Sequence, residues 1–355
     1  MELCKYIELH LHLDGAIRVN TLYELAQKTE LYKDMSFEAF QEQVTIGNKK
    51  YFDSLSHCLS IFQNVLTLIA GNKEYLERIA FEIGEDQFKN NILYTELRYN
   101  PHILKGNINT LDEVVEIINN GIKRATTKYG IHMNSILCCL RSKPQWSFDI
   151  ARLCIKYRNK GVVGMDIAGD EKNYSDYFHK DAFKFANHHG INITAHAGEC
   201  CGSENISSAI NKLYAKRIGH CYSCIYDPYL MGYLKRKNIH IECCYTSSIK
   251  TRSVDDTKSH PLKTFLKKGL NFSINTDDPS IFNINYLDEI ELIKNKFNLN
   301  LYQFHQIMNS SLEASFASNE EKKIIKEKLS KNWMKHFQDD IYIKLTTLDL
   351  QNSSS

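Results

Sequence analysis

The chain of 355 residues lacks the marks of several large protein classes. No apolar run approaches the roughly 18 residues a membrane-crossing helix needs, so no membrane partner is expected. An excess of one charge is missing too. Against 44 Lys+Arg stand 42 Asp+Glu, a net +2, which offers no electrostatic footprint for nucleic acid. The first residues carry no basic-then-apolar signal segment, since Glu2, Lys5 and Glu8 interrupt it. No Gly-, Pro- or Ser-rich linker and no internal repeat divides the chain, and nothing in it indicates a protein partner. Cysteine, by contrast, is plentiful, at 11 residues. An odd total in a large chain, with neighbours such as Cys138-Cys139, Cys200-Cys201 and Cys243-Cys244, reads as reduced thiols packed on opposite strand faces. Cys221 and Cys224 form a lone CxxC without a second pair and read as structural. A soluble cytoplasmic enzyme with a small-molecule substrate is the expectation.

Short β-like runs alternate with longer helical ones. Strands are expected at Tyr6–Leu13, Leu93–Asn100, His132–Cys139, Gly161–Ala168, Asn192–Ala197, Arg217–His220, His240–Cys244 and Asn271–Asn275. Between them lie helical segments such as Lys73–Lys89, Thr110–Tyr129, Phe148–Lys160, Tyr177–His189 and His260–Lys268. Such alternation implies parallel strands joined by crossover helices. Eight of them point to an α/β fold, a (β/α)8 barrel of the TIM type, which takes about 250 residues or more. One domain over 1–343 is expected. Within it, 22–70 interrupts the alternation as a helical insertion after the first strand. Leu55, Cys58, Leu59 and Phe62 recur there at helical spacing, and the insertion is placed as a lid over the barrel mouth. Helices at Leu287–Lys296, Leu301–Ser315 and Glu320–Phe337 should pack outside, and the polar tail 344–355 is expected to be disordered.

Active sites of such barrels lie at the C-terminal ends of the strands, and the polar clusters fall there. Strand one ends in His10, His12 and Asp14, alternate residues that project together. Strand four ends in Asp166–Glu171, strand five in His196-Ala197-Gly198-Glu199, strand six in Gly219-His220, and strand eight in Asn275–Pro279. Four histidines and several carboxylates at one rim tolerate burial only through a metal or mutual pairing. His10, His12 and His196 offer three nitrogens and Asp277 an oxygen, a donor set for one Zn2+ per chain with a position left for water. Zinc can lower the pKa of that water to roughly 7. His220 suits a base beside it, and Asp278 faces water or substrate. Glu199 suits a proton donor to the substrate. Gly169, having no side chain, lets the backbone approach a planar ligand.

The segments His10–Arg18 (HLHLDGAIR), Thr95–His102 (TELRYNPH), Gly164–Glu171 (GMDIAGDE), His196–Glu199 (HAGE), Ile218–His220 (IGH) and Ser273–Pro279 (SINTDDP) occur in this order over nearly the whole chain. In this the chain resembles the adenosine deaminase family of zinc barrels. The resemblance implies zinc on His10, His12, His196 and Asp277. It implies Glu199 protonating purine N1 and His220 assisting the attacking hydroxide. Asp278 would meet N7, the Gly169 N–H would meet N3, and Asp14 the ribose, with His12 also lining the substrate site. Leu55, Cys58, Leu59 and Phe62 fall where the family carries its apolar lid, Cys58 being smaller than the aromatic residue common there. Cys244-Tyr245 stands where the family has Cys-Pro. The implied reaction is adenosine, and 2′-deoxyadenosine, plus water to the inosine product and ammonia, a step of purine salvage.

Rival readings share the fold or the metal. Free-adenine enzymes resembling this family carry Glu where Asp14 stands. Enzymes acting on AMP or N6-methyl-AMP need a phosphate site, for which Arg18 and Arg98 are the nearest candidates. A two-metal amidohydrolase wants a bridging ligand on strand four, which Gly161–Ala168 does not offer. A cytidine-deaminase type needs HxE followed by PCxxC, and here the spacing is HxxE. A non-catalytic barrel kept for binding would tolerate loss of a ligand or of Glu199, and none is lost.

Overall fold

The computed structural model describes residues 4–52, 55–255 and 258–352, together with all their side chains except those of 55–57, 59 and 339–352. Eight strands form one sheet: β1 (Tyr6–His12), β2 (Ile92–Tyr99), β3 (His132–Leu140), β4 (Val162–Ala168), β5 (Asn192–Ala197), β6 (Arg217–His220), β7 (His240–Cys243) and β8 (Phe272–Ile274). They pair in sequence order, every ladder parallel. An isolated parallel bridge between Leu11 and Asp277 brings the last strand back to the first. The fold is a (β/α)8 barrel. All eight residues of β2 are buried, as a strand covered on both faces requires. The short polar sixth strand forms over the expected residues, because both neighbours pair with it.

Differences from expectation lie at element ends, where one further residue of pairing or one cap decides. β1 stops at His12 and β8 is only Phe272–Ile274. The helix expected at Tyr177–His189 begins as a 3-10 turn, Asp176–His179, and is α-helical over Lys180–His188. The last helix is long, Asn319–Asn352. The tail from 344, expected without regular structure, therefore carries helical backbone as far as Asn352, and no Gly or Pro interrupts the run from 319 onward.

Between β1 and β2 the insertion folds into the helices Val19–Ala26, Phe37–Val44 and Leu55–Ile69, followed by Lys73–Lys89. Its last part docks on the segment that follows β8. Ile46, Phe52 and Ile61 form one buried cluster with Ile281 and Phe282, and Cys58 and Phe62 pack against it. Ile46 N also donates to the Ile281 carbonyl at 2.9 Å.

A buried carboxyl supports the helix Tyr286–Phe297. Glu289 accepts from Thr246 N at 3.0 Å and from the Thr246 hydroxyl. Burial pushes it up to about 7, against the lowering effect of those bonds. The native state thus holds a proton that the unfolded chain has released, and stability contributed by this group is lost as pH rises toward 7. The loss is on the order of 3 kcal/mol between about pH 4.5 and 7. Glu289→Gln is expected to flatten that slope, so that the variant gains on the wild type between pH 5 and 8 in urea midpoints. A gain that is the same at both pH values would show that Glu289 ionises freely.

Candidate active site

Closing the barrel builds the centre of the site. His12 N donates to the Asp277 carbonyl at 2.9 Å, and Asp277 N donates to the His10 carbonyl at 3.2 Å. These bonds set the Asp277 carboxylate against both rings of β1. Oδ1 lies 3.0 Å from His10 Nε2 and 3.4 Å from His12 Nε2. From β5, His196 Nε2 comes to 3.1 Å of His12 Nε2. One ligand atom from each of His10, His12, His196 and Asp277 lies within 4.8 Å of the others. Asp277 has φ +67°, and so does His220 at the end of β6, a left-handed conformation uncommon among non-glycine residues. Gly219, before His220, has to be glycine, since a Cβ there would sit 2.9 Å from His10 Cε1.

Behind these ligands runs a network of buried charge. His10 Nδ1 is 2.7 Å from Glu242 Oε2 and His196 Nδ1 is 3.0 Å from Asp166 Oδ2. These contacts turn both Nε2 atoms toward the centre. Arg98 joins the two carboxylates, with Nη1 at 2.9 Å from Asp166 and Nη2 at 2.8 Å from Glu242. Arg217 donates to Glu242 Oε1 at 2.7 Å and reaches Glu96. Burial alone would push Glu242 and Asp166 up. The positive charges of Arg98 and Arg217 hold Glu242 well below the carboxylate range, and His196 with Arg98 does the same for Asp166. His12 is pushed well below its ordinary value by burial, which keeps it a neutral donor. Burial likewise opposes ionisation of Asp277, but His10, His220 and His12 bring it well below its ordinary value.

The groups expected from the sequence to face a substrate gather beside this centre. Glu171 holds the turn after β5, accepting from Gly198 N at 2.6 Å and from Glu199 N and Cys200 N at 3.1 Å each. Glu199, so placed, has Oε2 at 3.7 Å from His220 Nε2 and accepts from the Ser253 hydroxyl at 3.2 Å. Asp278 and Asp14 crowd each other near His12, ligand atoms of all three lying within 4.8 Å. Burial, then the charges of Asp277, Asp14 and Glu199, push Asp278 well above the carboxylate range. Burial lifts Asp14 to about 6. Gly169 follows β4 with φ +98° and is exposed. Cys58 and Phe62 pack on the cluster that includes Ile281 and Phe282, and the Cys58 thiol is pushed up by burial and then by Asp278 and Glu199. The side chains of Leu55 and Leu59 lie outside the described residues. Cys244-Tyr245 leaves the turn after β7 intact: a short helix, Tyr245–Lys250, starts there, and Ser247 donates to Asp277 Oδ2 at 2.7 Å.

The donor set fits a divalent metal. His10 Nε2 is buried without a hydrogen-bond partner among the described residues. Two imidazole nitrogens facing each other at 3.1 Å are held apart by repulsion unless a cation or proton lies between them. The sequence profile of the family described as adenosine deaminase matches residues 6–332, which include every residue of this site. The chain belongs to the adenosine deaminase family. It is 34% identical over 332 residues to the adenosine deaminase of Danio rerio, covering 89% of this chain and 92% of that protein. To the adenosine deaminase of Gallus gallus it is 35% identical over 340 residues, covering 89% and 92%. Among solved structures, an amidohydrolase from Burkholderia ambifaria with bound zinc matches with a TM-score of 0.84. It is 21% identical, covers 96% of this chain and 93% of that one, and is a likeness of fold. Members of the adenosine deaminase family are metal-dependent hydrolases, in keeping with the donor set here.

The residues expected from the sequence at one rim do meet there, and those that surround them were not among the expected ones. Glu242, Arg217 and Ser247 were not singled out. Glu242 and Arg217 did carry a signal, a charge within a buried strand, since charges are almost never fully buried unless paired; Ser247, in the helix after β7, carried none. Arg18 and Arg98, the candidate phosphate ligands, are both engaged. Arg18 pairs with Glu85 and Asp86, and Arg98 with Asp166 and Glu242.

Proposed function

We propose that this enzyme hydrolyses adenosine and 2′-deoxyadenosine to the inosine products and ammonia, with one Zn2+ per chain. The observation that carries the reading is the meeting of His10, His12, His196 and Asp277 with Glu199, His220 and Asp278 at one rim of a barrel of this family. His10, His12, His196 and Asp277 would hold the zinc, which when bound supplies Lewis acidity that brings the pKa of water toward about 7. His220 takes a proton from the attacking water. Glu199 gives a proton to ring N1, so that C6 can accept the water oxygen. Asp278, its carboxyl pushed above the ordinary range by burial and then by its carboxylate neighbours, donates to N7. The C6–N6 bond then breaks, the amino group takes the proton that His220 held and leaves as ammonia, and the C6 hydroxyl returns a proton to Glu199 to give the 6-oxo product. Gly169 N–H meets N3, and Asp14 and His12 line the ribose end. Cys58 and Phe62, packed on the cluster of Ile281 and Phe282, would belong to an apolar lid that excludes water from the reacting carbon.

Engagement of Arg18 and Arg98 in ion pairs supports a nucleoside over a nucleotide. The proposed place of action is the cytoplasm, supported by 11 cysteines that are all free. No helix among the described residues is long and apolar enough to cross a membrane. Turnover of adenosine, deoxyadenosine, adenine, AMP and N6-methyl-AMP side by side, with bound zinc quantified, tests the reading. Activity on AMP or adenine without activity on adenosine overturns it.

Gly15 offers a sharper check on Asp278. A Cβ at position 15 would lie 1.8 Å from Asp278 Oδ1 and 2.5 Å from its Cγ. Gly15→Ala therefore has to move the carboxyl, and kcat/KM for adenosine is expected to fall by about 100-fold. Adenosine should also lose its advantage over the analogue lacking N7. Unchanged discrimination would separate Asp278 from N7.

A further inference from the structure

Among the described residues, one side chain donates to the Glu199 carboxyl. Ser253 Oγ gives its proton to Oε1 at 3.2 Å, while Oε2 lies on the side of His220, 3.7 Å from its Nε2. The Glu199 side chain is 23% exposed, so burial alone does not fix its rotation. Ser253 stands 54 positions further along the chain, in the turn after the helix Tyr245–Lys250. Arg252 in that turn is left-handed, with φ +60°, which ends the helix and turns Ser253 back toward the end of β5. The turn is held on both flanks. Val254 N donates to the Ser248 carbonyl at 3.0 Å, and Phe52 N of the insertion donates to the Lys250 carbonyl at 3.1 Å. Thr251 sets the hydroxyl itself, its Oγ1 lying 2.8 Å from Ser253 Oγ and 2.9 Å from the Ser247 carbonyl. A hydroxyl carries one proton and two lone pairs. When Thr251 donates to Ser253, the Ser253 proton is therefore free for Glu199. At the other end of the segment 247–253, Ser247 holds Asp277 Oδ2 at 2.7 Å.

We propose that Ser253 is a positioning residue that aims the Glu199 proton at the purine ring. A neutral carboxyl accepts at its carbonyl oxygen and donates from its hydroxyl. A donor fixed at Oε1 makes Oε1 the carbonyl oxygen and leaves the proton on Oε2. That is the oxygen facing His220, where the attack on C6 is placed. Without the Ser253 hydroxyl the carboxyl loses its bias between its two oxygens and between its rotations. Its proton then faces ring N1 for only part of the time, and misdirection of a reacting group is expensive in rate. Ser253 acts through Glu199 and exchanges no proton with the substrate. Its role rests on the one proposed for Glu199.

The test compares Ser253→Thr with Ser253→Val, two side chains of one shape that differ by a hydroxyl against a methyl group. Steady-state kcat and KM for adenosine are measured on zinc-loaded enzyme, with urea midpoints to check folding. Ser253→Thr should stay close to wild type in both constants. Ser253→Val is expected to lose about tenfold in kcat, the worth of one hydrogen bond to a group of this kind, with KM unmoved. In the Glu199→Gln background the same Ser253→Val step should cost less than about twofold, because the proton it aims is already gone. Ser253→Ala replaces the valine variant should that one fold poorly. The proposal is overturned if Ser253→Val and its alanine counterpart keep the wild-type kcat, if Ser253→Thr falls as far as Ser253→Val, if the loss appears in KM, or if the two losses multiply in the double variant. Wild-type turnover of Glu199→Gln overturns the role of Glu199 and that of Ser253 with it. An impaired Glu199→Gln beside an unimpaired Ser253→Val overturns the role of Ser253 alone.

Discussion

Glu199→Gln is expected to lower kcat for adenosine by about 10²–10⁴-fold, with KM and metal content close to wild type. The turn that carries Glu199 is fixed by three backbone N–H groups donating to Glu171, and the amide is nearly isosteric, so position should survive. What is lost is the proton. Without one on N1, negative charge builds on the purine ring as the oxygen adds to C6, and that cost falls on the transition state alone. A change in kcat with KM unmoved is the signature of such a group. Near-wild-type turnover in Glu199→Gln would remove this residue from proton transfer.

Glu242→Gln should show the second large effect, on stability and metal affinity together. The carboxylate accepts four bonds. Oε2 takes His10 Nδ1 at 2.7 Å and Arg98 at 2.8 Å, and Oε1 takes Arg217 and the Thr194 hydroxyl at 2.7 Å each. An amide turns its NH2 toward two of these donors and leaves two buried guanidinium groups short of charge. Breaking a buried ion pair from one side costs about 3–5 kcal/mol, read as a lower urea midpoint. His10 loses the partner that orients it, and zinc affinity is expected to drop by about 10–100-fold in competition with a chelator. Because Glu242 is held well below the ordinary carboxylate range, the stability it contributes is present above that range and is lost only as pH falls through its lowered value. The wild type should accordingly hold metal further into acid than the variant. Unaltered zinc affinity would mean that His10 is oriented by other contacts.

Most of the barrel and the inner site could be read from the chain because both are written in local patterns. Strand runs such as Tyr6–His12 carry buried apolar residues, and strand ends carry HxH, HAGE and DDP, which position alone assigns to one rim. Helix ends were less legible. The tail from 344 looked too polar to order, yet an uninterrupted run without Gly or Pro continues as helix to Asn352. The insertion was visible as a break in the alternation, but not its docking on Ile281 and Phe282 beside Asp278.

By itself the sequence determined the ligand types, their spacing and the strand ends that carry them, since two-residue periodicity and turn chemistry act over a few neighbouring residues. Tertiary structure decided what those residues meet. Glu242 lies 232 positions from the His10 it orients, and only the stagger of β7 against β1 brings them to 2.7 Å. The bridge from Leu11 to Asp277 and the close approach of Gly15 to Asp278 arise in the same way. Each depends on how eight parallel strands close and in what register, a property of the whole sheet that no short stretch of residues carries.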